Sequence, residues 1–151
     1  STLLASSAAS DVYKRQGDKS PNTTERRVTG KSEAWLHHKG RNRHHFEYWI
    51  DYGQEPGSAM QGMKMPVKYV VEMFCDRVAA CKTYYKENYN DSMPFEYFNK
   101  NRKHYMMHPE TMELLGKMLI MLKRYGEEDT LVYIRERILT GRYPKKTAVK
   151  S

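Results

Sequence analysis

From Val67 onward the apolar residues recur with a helical period. Val67, Val70, Val71, Phe74, Val78 and Cys81 fall three and four positions apart, which places them on one stripe of a helix. Pro66 suits the first helical position, so a helix over residues 66–85 is predicted. A second stripe, Leu115, Met118, Leu119, Leu122 and Tyr125, follows His108-Pro109 and stops at Gly126, a residue suited to the left-handed position past a helix end. Leu131, Ile134, Ile138 and Leu139 mark a last helix over residues 129–139. Upstream, Ser32 stands where an N-cap is wanted, ahead of a helix over residues 33–52. Gly40 lies inside that helix and costs ~1 kcal/mol against alanine. The stretch "DYGQEPGSAMQGMKM" and residues 17–30 have the composition of loops. Residues 86–107 form a basic, tyrosine-rich connection with a short helix after Pro94. No alternating run argues for a strand, so the predicted fold class is all-α, a single helical domain.

The two ends change the domain picture. "STLLASSAAS" lacks the basic region of a signal peptide. The following "DVYKRQ" is what GAT GTG TAT AAG AGA CAG encodes, and that run resembles the transposon end used in preparing sequencing libraries. Residues 1–16 therefore read as non-native sequence without fixed structure, residues 17–140 as the domain, and residues 141–151 as a frayed basic tail.

The chain has 151 residues, of which 39% are hydrophobic and 29% charged, enough for one core. It lacks the run of about 18 apolar residues that a membrane-spanning helix needs. A net charge of +8 favours anionic partners without naming one. Cys75 and Cys81 lie six apart on a predicted helix, pointing about 120° apart. They read as two free thiols, which suits a reducing cytoplasm.

The chemistry concentrates in "HHKGRNRHHFEYW", where His37, His38, His44 and His45 lie within nine residues. If the helix runs through to residue 52, Trp35, His38, Asn42, His45 and Trp49 fall within about 80° of one another, and His37, Arg41, His44 and Tyr48 share the neighbouring face. Two imidazoles two turns apart can meet one metal ion, and histidine with carboxylate suits Zn, Mn or Fe. A surface patch stacked on the tryptophans has the same pattern. Glu72 and Asp76 make an i, i+4 carboxylate pair opposite the valine stripe. They are either a solvated face or, if that helix is covered on both sides, buried acids in need of a partner. Phosphate-binding loops, nucleophile elbows and C-x-x-C spacings are absent. Met112, Met118 and Met121 read as core filler. Tyr84, Tyr85, Tyr89, Tyr97 and Tyr105, interleaved with lysine and arginine, leave a single-stranded nucleic-acid surface open.

The runs "SPNTTERRVTGKSEAWLHHKGRNRHHFEYWIDY" and "KMPVKYVVEMFCDRVAACKTY" closely resemble an uncharacterised bacterial and phage family, domain of unknown function 5662, from Gly17 to roughly the last helix. Members of that family carry an upstream helical region with a further histidine and an H-D-x-S-K motif, so the resemblance implies that this chain is N-terminally truncated. The order of histidines, "HHFEYW" and "MPVKYVVEMFCD" is similar to that of the HD-domain metal-dependent phosphohydrolases, which implies an HD-like bundle lacking its first helices. On that likeness His38, His44 or His45, and Asp76 are expected to ligate a divalent ion (Mn, Fe, Zn or Mg). Asn42 and His37 would orient the imidazoles. Glu47 would do the same or join Glu72, itself a ligand or a base, in catalysis. Lys39, Arg41 and Arg43 would draw in a phosphorylated small molecule or nucleotide, and the fragment alone would be inactive. The alternative is a non-catalytic module for nucleic acid or another polyanion, whose affinity would fall steeply with salt and ignore chelators.

Overall fold

The computed structural model describes residues 21–145, which form five α-helices and one two-stranded sheet. Residues 1–16 and the end of the basic tail lie outside the described residues. The helices are α1 (Pro21–Thr29), α2 (Glu33–Arg41), α3 (Val67–Tyr85), α4 (Met93–Asn101) and α5 (Pro109–Tyr133). The fold is mainly α, as the hydrophobic pattern predicts.

The core forms where α3, α4 and α5 meet. The stripe on α3 buries Val70, Phe74, Val78 and Cys81, and α5 contributes Leu115, Met118, Leu119 and Leu122, these last four without exposure. Phe98 of α4 packs against Gly116 of α5, where a Cβ would come 3.3 Å from the ring. His108 caps α5 by accepting from the Glu110 N–H at 3.1 Å. Gly126, at φ 85° and ψ 172°, breaks α5 where the sequence places a helix end. Tyr125, expected on the buried stripe, sits at that break and is 61% exposed. A π-helical turn, Ile134–Ile138, closes the chain's last helical arm. Its wider turn carries Leu139 off the side on which Ile134 and Ile138 are buried.

Four expectations are corrected. The stretch expected as a loop over residues 17–30 contains α1, because its polar side chains bond to the next helix: the Ser32 hydroxyl donates to Asn22 Oδ1 at 2.9 Å, and Glu25 Oε1 accepts from the Glu33 N–H at 2.9 Å. The helix expected to run to residue 52 ends at Arg41. A short hairpin, β1 (Ile50–Tyr52) against antiparallel β2 (Met60–Gly62), stands where no strand was expected, with Ile50 opposite Gly62 and Tyr52 opposite Met60. The basic tail is not frayed from its start either, since Tyr143 is half-buried against the core with Lys117 over its ring.

Candidate metal centre

Ser32 caps α2 as expected, its hydroxyl accepting from the Trp35 N–H at 3.2 Å. The other end is set by Asn42, whose backbone turns extended (φ −112°, ψ 110°). The Asn42 side chain donates back to the His38 carbonyl at 2.7 Å, the local competition that makes asparagine a helix terminator. A tight turn follows, in which the His45 N–H donates to the Asn42 carbonyl at 3.1 Å. The Trp49 indole N–H pins it by donating to the Arg43 carbonyl at 2.8 Å.

That reversal gathers the histidines in a way no continuous helix would. His38 is on α2, while His44 and His45 come from the turn, yet one ring nitrogen from each lies within 4.8 Å of the others. His38 Nε2 and His45 Nε2 are 2.8 Å apart. The His45 ring centroid is 4.7 Å from that of His38, 4.6 Å from that of His44 and 4.9 Å from Trp35. His45 is 3% exposed, and His38 and His44 are half-buried. The wheel that paired His38 with His45 and set His44 on another face is therefore right about the first pair for the wrong reason.

The second wall is the side of α3 away from the valines. Tyr69, Glu72 and Asp76 fall within about 60° of one another on that helix. Tyr69 accepts from the Arg43 guanidinium at 3.4 Å and Glu72 Oε2 lies 3.8 Å from His44 Nδ1. Asp76, one turn beyond Glu72, is 2% exposed, the condition under which a carboxylate requires a partner; like Glu72 it stands outside the group of three imidazoles. The hydrogen bond from Arg43 to Tyr69 raises the Arg43 pKa and lowers that of Tyr69. Tyr69 was not singled out from the sequence, although its position three residues before Glu72 puts it on the acidic face.

The remaining expected residues are spread more widely. Asn42 reaches His38, its Nδ2 lying 3.0 Å from Nδ1. Glu47 is half-buried on the 3-10 turn Phe46–Trp49, outside the histidine group, and His37 is exposed on α2. Lys39 is half-buried, and Arg41 and Arg43 are exposed. Three clustered imidazoles fit a divalent transition metal such as Zn, Mn or Fe. They fit Mg poorly, because it prefers oxygen ligands. Cys75 and Cys81 are free thiols, and no described helix is long and apolar enough to cross a membrane.

The model of a family described as "Family of unknown function (DUF5662)" matches residues 5–121, from within the segment 1–16 to the middle of α5. No curated protein and no solved structure matches the chain significantly.

Proposed function

Taking as premise that the chain belongs to this family of unknown function, we propose that it carries part of the site of a metal-dependent hydrolase of a phosphorylated small molecule or nucleotide, of HD-like type. The observation that carries the reading is the convergence of His38, His44 and His45 on one point beside Glu72. His38, His44 and His45 would hold the ion, with Asp76 as a further ligand from α3. Such an ion supplies Lewis acidity toward a phosphoryl oxygen and makes a neighbouring water more acidic.

The chain's own groups do the rest. Glu72, half-buried and 3.8 Å from His44, is placed to take a proton from an attacking water. Arg43, held by Tyr69, presents a cation at the rim, and Lys39 and Arg41 add to the attraction for an anion. The Trp35 ring meets His45 edge-on and lies tilted against His38, covering them on one side. The free thiols of Cys75 and Cys81 fit a cytoplasmic setting.

The test is metal content of the chain purified without tag histidines, for wild type, His45→Ala and Asp76→Ala, and phosphoesterase activity of a family member that carries the H-D-x-S-K motif. One transition-metal ion per wild-type chain, lost in the variants, together with chelator-sensitive cleavage of p-nitrophenyl phosphate or its diester by the family member, is the expected result. Metal-free wild type, with polyanion binding that weakens steeply with salt, would replace this reading by the nucleic-acid-binding one.

A further inference from the structure

We infer that Asn42 is a latch on the histidine cluster: it holds His38 in the tautomer that closes the metal-free site, and its amide must turn over before His38 can ligate through Nε2. The second half of this inference rests on the metal reading above. The first half is a property of the protein alone.

The hydrogen-bond inventory leaves one assignment. Asn42 Nδ2 is 2.7 Å from the His38 carbonyl oxygen and 3.0 Å from His38 Nδ1. A carbonyl only accepts, so the group facing it is the amide NH2 and not the amide oxygen. The same NH2 faces Nδ1 and has only protons to offer, so Nδ1 must present its lone pair. A histidine with a lone pair on Nδ1 is neutral and carries its proton on Nε2. The Nε2–H then points at His45 Nε2, 2.8 Å away, which accepts it and leaves the His45 proton on Nδ1. Asn42 thus polarises a chain of two hydrogen bonds that ties α2 to the turn carrying His44 and His45.

Ligation through His38 Nε2 needs the lone pair at that atom. The proton must pass from Nε2 to Nδ1 through solvent, with no net gain or loss, since the imidazole is neutral before and after. Once Nδ1 carries hydrogen it opposes the Asn42 NH2, donor against donor. Half a turn of the amide removes the conflict by bringing Oδ1 to Nδ1–H, and gives up the bond to the His38 carbonyl. In this role Asn42 is a positioning residue: it ranks the closed and the ligand-ready forms of His38 without touching an ion.

Long-range proton–nitrogen NMR correlations on the metal-free chain at pH 7.5 read the tautomer directly, and His38 is expected as Nε2–H. In Asn42→Asp the side chain accepts but cannot donate, so His38 should change to Nδ1–H and zinc affinity should rise roughly tenfold, within the range that groups behind metal ligands command. Asn42→Leu can do neither, so it releases the latch without supplying an acceptor and should bring a smaller gain than Asn42→Asp. His38 found as Nδ1–H or doubly protonated in the wild type overturns the latch, and that spectrum decides even if a variant fails to fold. An Asn42→Asp protein with unchanged tautomer and affinity overturns it as well. Zinc bound by none of the three proteins, with His38 still Nε2–H, overturns the metal reading and leaves Asn42 as the residue that sets the tautomer.

Discussion

His45 is the imidazole on which the cluster closes. It is 3% exposed and its ring meets those of Trp35, His38 and His44. Truncating it removes buried ring contacts and leaves the His38 Nε2 group without its His45 partner, a loss of order 1–3 kcal/mol. In a chain of this size each kcal/mol moves the melting temperature by about 2–4 °C. His45→Ala in the metal-free protein should therefore melt several degrees lower. His37 lies exposed on α2, and His37→Ala should melt within a degree of wild type. Equal melting points for the two variants would show that burial of His45 adds nothing to the stability of the turn.

At the scale of elements, α2 and the hairpin respond in opposite ways to the same substitution. Gly40 lies inside α2 with open space where a Cβ would stand, so Gly40→Ala should stabilise the chain by about 0.5–1 kcal/mol through helix propensity alone. A Cβ on Gly62 in β2 would come 2.6 Å from the Met106 carbonyl oxygen and 2.7 Å from the His108 nitrogen. Both are backbone atoms that cannot swing aside. Gly62→Ala should then cost about 1–3 kcal/mol, and denaturant melts of the two variants should shift to opposite sides of wild type. If Gly62→Ala melts with wild type, the hairpin does not seat on residues 106–108 in solution.

These elements also show what the sequence could and could not disclose. The stripes on α3 and α5 and the break at Gly126 were legible because each follows from a local period or a single conformationally free residue. The end of α2 was not, since it depends on the Asn42 amide preferring the His38 carbonyl over solvent, a choice that composition does not record. The histidine group was legible as a concentration of ligands, but its membership came from the turn, which adds His44 and brings Glu72 alongside. The hairpin carries no alternation because its strands are three residues long, and α1 forms through bonds from Asn22 and Glu25 to Ser32 and Glu33 at the start of α2, ten and eight residues on.

The molecule is organised about α3, which gives one side to the core shared with α5 and the other to the histidine turn. Burial of its thiols follows and sets how the whole fold responds to alkali. Burial pushes the Cys81 thiol from its ordinary 9.0 to about 11, with the Arg77 cation opposing. Cys75 is raised by burial too, and so is Tyr89, with help from the hydrogen bond to Asp91. Between pH 9 and 11 the unfolded chain releases the Cys81 proton while the folded chain keeps it. The folded state then binds more protons, and stability must fall as pH rises. For Cys81 alone the loss amounts to roughly 2–3 kcal/mol across that window, with full stability below pH 9. Urea melts from pH 8 to 11 should show this decline, and Cys81→Ala, though less stable at pH 8, should have a visibly flatter profile. A variant profile parallel to wild type would mean that Cys81 does not carry the alkaline sensitivity and that Cys75 and Tyr89 account for it.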